Sequence, residues 1–439
     1  MAADKYDRRI KEPLKEPPDY RAPAERDYDR VLYTSAFRRL QGVTQVVAAD
    51  EGHVFHNRLT HSLRVAQVAR RLAQKVTRQQ SELATTLDID PDVAEAAALA
   101  HDLGHPPFGH LAETELNQLV TSSHVVDGFE GNAQSFRVVT KLARRSPDYV
   151  GLNLTRGTLN AILKYPWRRQ PGEHEYKWGA YASEDQDFMF ARELQPYADD
   201  DKKCVEAEIM DWADDVTYAI HDADDFFRAG MIPMHRLSPI NDNSERSRFW
   251  EGIAASKELL AVLGGDPSQF KESFDAVVTS FPINDRYKGA YDQRTALRDY
   301  SSGMIGRYID AFKIKERSDR NERYVEIDSE AQRQVKTLKM LTWYYVIHDS
   351  SLATQQFGQR SMISSLFKTF VKAGTDRSPY RNIFPHAFRR DLDEAKGEPK
   401  QVARVVCDLL SSLTERQVIR LHQRLSGGDR GSVLEALVT

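Results

Sequence analysis

The run HDLGHPPFGHLAETEL (101–116) constrains this chain more than any other stretch. His101, Asp102, His105, His110 and Glu113 fall within thirteen positions, on a segment broken by Gly104, Pro106, Pro107 and Gly109. Imidazole and carboxylate together make a mixed nitrogen/oxygen site for a divalent cation. Glycine and proline force turns that can aim several side chains at one point. A solvated surface has no use for that density of histidine, so the segment alone points to metal-assisted hydrolysis. Its scaffold is also legible. Asp90-Pro91 supplies an N-cap and a first-turn proline opening DVAEAAALAHD. His101-Asp102 is therefore predicted near the C-terminal end of an alanine-rich, closely packed helix.

The rest of the pattern is helical. Val31, Phe37, Leu40 and Val43 recur at helical spacing, and Leu63, Val65, Ala66, Val68, Ala69, Leu72 and Ala73 form a strong amphipathic segment. A long helix is predicted over 204–229, ended by Gly230 with Pro233 beyond. Further helices are predicted over 250–264, 290–315, 329–347, 400–412 and 414–426. RYVEID (323–328) is the best candidate for a short hairpin strand. Residues 1–25, with Pro13, Pro17, Pro18 and Pro23, read as an exposed, flexible arm, and 166–203 as a polar, aromatic loop insertion. The predicted fold class is mostly α: a helical bundle over 26–235, a helical C-terminal region over 236–439, and at most a short β-hairpin.

Composition narrows the setting. The chain has 439 residues and a formal net charge of −4, so no global positive field draws it to nucleic acid or an anionic membrane. Cys204 and Cys407 are far apart, without partners at metal-ligand spacing, which argues against a disulfide framework and fits a reducing cytoplasm. No apolar run approaches the roughly 20 residues that span a bilayer, and MAADKYDRRIKEPLKEPPDY lacks the apolar stretch of a signal peptide.

Other motifs weigh less alone. Asp214, Tyr218 and Asp222 lie at i, i+4 and i+8, which puts them on one helix face. Acidic residues on such a helix are commonly only its solvated side, but a tyrosine between the carboxylates makes the stripe mixed. His61 opens the amphipathic helix, with Arg58 before it and His56 nearby; one histidine there is more often a cap or core residue than a ligand. His221-Asp222 and His348-Asp349 serve as controls, because neither has the HPPFGH continuation. The specific signal is the ordered set of His61, then His101-Asp102, then Asp214.

That order, with its flanks, resembles the HD-domain phosphohydrolase superfamily and, within it, the deoxyguanosine triphosphate triphosphohydrolase family. The matching stretches are RDYDRVLYTSAFRRLQGVTQVV (26–47), HNRLTHSLRVAQVARRLA (56–73), AALAHDLGHPPFGHLAETEL (97–116), DGFEGNAQSFRVV (127–139), LNAILKYP (159–166) and EIMDWADDVTYAIHDADD (208–225). The C-terminal half is similar only loosely, through QQFGQRSMISSLF (355–367) and VARVVCDLLSSLTERQ (402–417). The resemblance implies that His61, His101, Asp102 and Asp214 bind one divalent metal. It implies His110 as catalytic acid/base with Glu113 holding it, and His105 as a phosphate contact. By the same resemblance Arg58 and Lys164 hold the triphosphate, Tyr218 packs on the deoxyribose, and Gln45 and Asp222 bind its 3′-hydroxyl. Asp214 is preferred to Asp215 because it shares a face with Tyr218 and Asp222, and adjacent helical positions point roughly 100° apart. Two positions depart from the family pattern: Gly42 stands where a lysine is expected and Gly131 where a histidine is expected.

The implied reaction is water attack on the α-phosphorus of a deoxynucleoside triphosphate, dGTP first, giving deoxynucleoside and tripolyphosphate. Such a polyanion needs charge neutralisation and positioning more than covalent chemistry. Two histidines with two aspartates suit Mn best, with Fe, Co, Ni or Mg as alternatives. Glu113, one turn after His110, can accept from the imidazole and fix its tautomer. The family also implies a homo-oligomer, a hexamer by resemblance, and allows single-stranded DNA as an effector; no membrane partner is expected. The competing readings are an HD phosphodiesterase or phosphatase on another nucleotide, and a nucleotide-sensing or single-stranded-DNA-binding regulatory protein.

Overall fold

The computed structural model describes residues 3–13, 17–45, 56–172, 174–194, 201–238, 243–263, 266–319, 322–347, 350–375 and 379–429. Two bodies of packed helices build it. In the first, α1 (Pro23–Leu32), α2 (Arg58–Gln79), α3 (Pro91–Ala100), α4 (Arg156–Ile162) and α5 (Val205–Arg228) surround one core. Helix α3 is its axis: α1, α2, α4 and α5 all pack on it, and Val93, Ala94, Ala96, Ala97, Ala98, Leu99 and Ala100 are buried. Alanine makes this crowding workable, since it favours the helix and has no side chain to hold neighbours apart. Asp90 caps α3 as predicted, accepting from the Asp92 N–H at 2.8 Å. The C-terminal half contributes unequally. Residues such as Phe249, Phe274, Tyr308, Leu338 and Val346 join the first core.

The second core forms around α6 (Gly109–Ser122), whose Ala112, Leu116 and Val120 are covered by Ile363, Phe367 and Phe370 of α7 (Ser350–Thr375), by α8 (Pro399–Ser411) and by Val418 and Leu421 of α9 (Glu415–Leu425). The helix carrying His110 and Glu113 thus owes its seat to the end of the chain.

The mostly helical expectation holds, with one two-stranded sheet among the described residues. RYVEID supplies β2 (Val325–Ile327), which pairs antiparallel with β1 (Phe312–Ile314) in the register Phe312↔Ile327 and Ile314↔Val325. The helix predicted over 290–315 therefore ends earlier, spanning Tyr291–Asp310, because alternation in FKI buries Phe312 and Ile314 on a strand. The 166–203 insertion is not all loop: Asp185–Arg192 is helical, and Trp178 and Tyr181 are fully buried. His348-Asp349 lies outside the described residues.

The arm predicted over 1–25 also needs correction. Over 3–13 it lies against the first core, where the buried Lys5 ammonium sits 2.6 Å from the buried Glu206 carboxylate at the start of α5. Arg8 bonds Asp27 at 2.6 Å, and Tyr6 donates to Asp90 at 2.8 Å. Proline-rich, charged composition suggested exposure, and several side chains are exposed, but Lys5, Arg8, Arg9 and Glu12 each meet an opposite charge on the core. Helix α1 then begins at Pro23, inside the expected arm. No described helix is long and apolar enough to cross a membrane.

Candidate metal centre and active site

Helices α2, α3 and α5 each bring one or two polar groups to the point where α3 ends. His61 comes from the first turn of α2, His101 caps α3, Asp102 follows it, and Asp214 projects from α5. His61 Nε2 lies 2.9 Å from Asp214 Oδ1, His101 Nε2 lies 3.7 Å from the same oxygen, and Asp102 Oδ1 is 3.5 Å from His101 Nε2. His61, His101 and Asp102 are buried and bring one ligand atom each within 4.8 Å of one another.

The decisive atom is His101 Nε2. His101 Nδ1 is 2.7 Å from the Ala98 carbonyl, which cannot donate, so Nδ1 carries a proton and Nε2 is the nitrogen that faces Asp102 and Asp214. That nitrogen is buried and makes no hydrogen bond, with Asp102 at 3.5 Å and Asp214 at 3.7 Å. A histidine whose far nitrogen is fixed on a carbonyl while the other waits beside carboxylates is the donor arrangement of a metal ligand. The residues present fit a divalent cation. Asp215, the adjacent acid, points elsewhere and pairs with Lys339 at 2.5 Å.

Electrostatics hold the acids ready. Burial opposes the charge on Asp102, yet His101 and Arg58 outweigh it and keep the carboxyl well below its usual range. Burial likewise opposes Asp214, and Lys164 with His101 and His61 keeps it low. Arg58 reaches Asp102 Oδ2 at 2.7 Å, and Lys164 lies 2.8 Å from Asp214 and 3.0 Å from Asp211. The two cations expected at a triphosphate thus rest on the carboxylates that surround the site.

A sharp turn carries the next group. Phe108 is left-handed at φ 68°, followed by Gly109 at φ 60°. A non-glycine residue there is strained and persists only when its surroundings fix it. Glu415 of α9 does so, accepting from the Phe108 N–H at 3.1 Å and from the Thr44 N–H at 2.8 Å. His110 leaves this turn with its side chain 73% exposed, so its ring is open to a ligand. Its Nδ1 is 2.7 Å from Glu113 Oε2. Burial opposes the Glu113 charge, but the His110 hydrogen bond and Lys177 hold its carboxyl well below the ordinary range. His105 is buried between Asp102, 3.1 Å from its Nδ1, and the His110 ring, 5.6 Å centre to centre. Burial and then Arg58 push His105 down to about 3, so it is a neutral imidazole at physiological pH.

Tyr218 and Asp222 follow Asp214 along α5. Burial, then the Asp225 charge, raise the Asp222 carboxyl well above its usual range, and its Oδ2 is buried without a partner. Gln45 Oε1 is likewise buried and unpartnered. His56 bonds Asp225 at 2.5 Å and lies outside the metal set.

Both departures have packing reasons. A Cβ at Gly42 would lie 2.8 Å from Thr414 Cγ2, so a lysine there would displace the N-cap of α9. A Cβ at Gly131 would lie 3.0 Å from the His105 ring, and the Gly131 N–H donates to Glu113 Oε1 at 3.2 Å. The residues that sequence reasoning missed are Glu415, Lys177 and Glu130. Their signal is only a partnership across the fold.

Comparison with known proteins fits this geometry. Residues 58–219 match the HD domain family, and residues 325–424 match the phosphohydrolase-associated domain family. A Streptomyces coelicolor protein is 36% identical over 427 residues, covering 93% of each chain. One from Caulobacter vibrioides is 43% identical over 414 residues, covering 92% of this chain and 90% of its own. One from Wolinella succinogenes is 30% identical over 419 residues, covering 93% and 97%. All three bear the name deoxyguanosinetriphosphate triphosphohydrolase-like protein.

Proposed function

Because this chain belongs to the deoxyguanosinetriphosphate triphosphohydrolase-like family of HD-domain proteins, we propose that it hydrolyses deoxynucleoside triphosphates, dGTP first among them, to deoxynucleoside and tripolyphosphate. The observation that carries the reading is the buried, unpartnered His101 Nε2 at the meeting point of His61, Asp102 and Asp214, with the exposed His110 ring on the adjoining turn.

In this reading His61, His101, Asp102 and Asp214 hold one divalent cation, Mn by preference. When bound, the cation supplies charge neutralisation at the α-phosphate and lowers the cost of ionising a water. Arg58 and Lys164, held close by Asp102 and Asp214, are placed to trade carboxylate contacts for phosphate oxygens. Neutral His105 offers a hydrogen bond without adding charge. His110 moves the proton: with Nδ1 engaged by Glu113, its Nε2 is free to deliver one to the leaving 5′-oxygen. Glu113, kept ionised, supports the imidazolium during the transfer. Tyr218 packs against the sugar where a 2′-hydroxyl would sit. The unpartnered oxygens of Asp222 and Gln45 are what a buried 3′-hydroxyl needs to meet.

The test is a product assay with each deoxynucleoside triphosphate and with GTP, alongside Asp102→Ala. Deoxynucleoside plus tripolyphosphate, absent with GTP and lost in the variant, is the expected result. Release of orthophosphate or pyrophosphate would sink the α-phosphorus mechanism, and no turnover at all would favour a regulatory role.

A further inference from the structure

Lys177 lies in the 166–203 insertion, outside every motif that marked the site, yet its ammonium reaches the base of the His110–Glu113 pair. Nζ is 2.9 Å from Glu113 Oε1 and 3.0 Å from Glu130 Oε1. Both carboxylates are buried. Glu130 also caps the helix Gly131–Arg137, where its Oε2 accepts from the Asn132 and Ala133 N–H groups at 2.5 and 2.9 Å. Two buried carboxylates therefore share one cation. Like charges at this separation cannot both stay ionised without an intervening positive group. Burial disfavours the Lys177 charge, but Glu130 and Glu113 together hold the ammonium above the ordinary lysine range. Burial and the Glu113 charge push Glu130 up to about 7.

The seat of Lys177 is built, not incidental. The Lys177 carbonyl accepts from Trp167 Nε1 at 2.7 Å, and the Gly179 N–H donates to the Trp167 carbonyl at 2.9 Å. A Cβ at Gly179 would lie 2.1 Å from the Tyr165 carbonyl oxygen, so only glycine lets the two sides of this segment close so tightly. Trp178 beside it is buried against Ala133 and Tyr181. A second cation at His105, His110 and Glu113 would need the Glu113 oxygens that Lys177 and His110 already hold.

We propose that Lys177 is a positioning residue for hydrolysis. Its ammonium neutralises the Glu113–Glu130 pair and fixes the Glu113 carboxylate on His110, which ties the insertion to the acid/base step. This rests on the reading of His110 and Glu113 given above. The charged and titratable groups facing the pair are His110 on the same helix, His105 on the 101–108 turn, Tyr165 just before the insertion, and Lys177 and Tyr181 within it.

The experiment compares full-length wild type with Lys177→Met, Lys177→Arg and the double variant Lys177→Met/Glu130→Gln, each checked for bound metal. Lys177→Met is expected to lower kcat by roughly 10- to 100-fold, as outer residues of metal sites do, with KM and metal content kept. The acid limb of its pH–rate profile should move to higher pH, because Glu113 loses the cation that keeps it ionised. Lys177→Arg should restore most of the rate, and removing the second carboxylate in the double variant should restore part of it. Wild-type kcat and an unmoved acid limb in Lys177→Met would overturn the proposal. A readout independent of turnover accompanies these: carbethoxylation of the exposed His110, followed by peptide mapping. Its rate in Lys177→Met should change in the direction seen in Glu113→Gln; an unchanged or opposite rate would overturn the proposal. If the wild type hydrolyses nothing while that shift is present, the hydrolase reading fails and with it the role in hydrolysis, leaving only the placement of Glu113 and His110 by Lys177.

Discussion

Glu415→Ala probes how the turn that launches His110 is held. Glu415 Oε1 accepts from two buried backbone donors, Phe108 N–H at 3.1 Å and Thr44 N–H at 2.8 Å, and the residue is buried. Alanine offers neither donor a partner, and each buried N–H left unmet costs about 1–3 kcal/mol, so the loss is about 2–6 kcal/mol. Part of it returns when Phe108 relaxes from φ 68°, a conformation worth about 1–3 kcal/mol of strain. That same relaxation re-aims His110 two residues on. Glu415→Gln keeps an oxygen acceptor and loses mainly the favourable charge at the start of α9, about 0.3–1 kcal/mol. Urea unfolding gives the stability, and kcat with bound-metal analysis gives the function. Alanine should lower the urea midpoint and reduce kcat at least tenfold with metal retained, while glutamine should do little to either. An alanine variant with unchanged midpoint and kcat would refute the reasoning, as would a glutamine variant that is equally damaged.

Three further outcomes rest on single contacts. Asp214→Asn should lose bound metal in plasma emission analysis while Asp215→Asn, whose side chain pairs with Lys339, keeps it; equal loss would reassign the ligand. Gly104→Ala should fail to accumulate as folded protein or melt well below wild type, because its Cβ would lie 2.1 Å from the Ser135 backbone nitrogen, and a normal melting curve would contradict that packing. Burial pushes the Cys204 and Cys407 thiols up to about 12, so at pH 8 only about one in ten thousand is ionised. Iodoacetamide should label neither in the native protein and both in urea, and native labelling at pH 8 would show that one of them is reachable.

Features governed by a period or a cap were legible in the sequence. The N-cap at Asp90 and the alanines after it marked α3, and the shared face of Asp214, Tyr218 and Asp222 came from the helical repeat alone. The order of His61, His101-Asp102 and Asp214 was legible because each sits on or next to a predicted helix. Lys177 and Glu415 were not, since a side chain reaching 64 or 307 residues along the chain obeys no period. The same is true of Lys5, whose partner Glu206 is 201 residues away. Composition made residues 3–13 look wholly solvated because Lys5, Arg8, Arg9 and Glu12 were counted without their opposites. The strand Phe312–Ile314 was absorbed into the preceding helix because three residues are too few to establish an alternation.

The division of the site between two cores also sets an order of events while the chain is being made. His61, His101, Asp102 and Asp214 all belong to the part translated first, and the helices that carry or flank them pack on one another. The apolar side of α6 waits for residues 363–421, and the Phe108 turn waits for Glu415. On the proposed reading, a nascent chain can thus assemble its metal ligands well before it owns a fixed acid/base pair. Acquisition of the metal and the onset of turnover would then be separate moments in the life of each molecule, with the helices over 350–425 as the start signal.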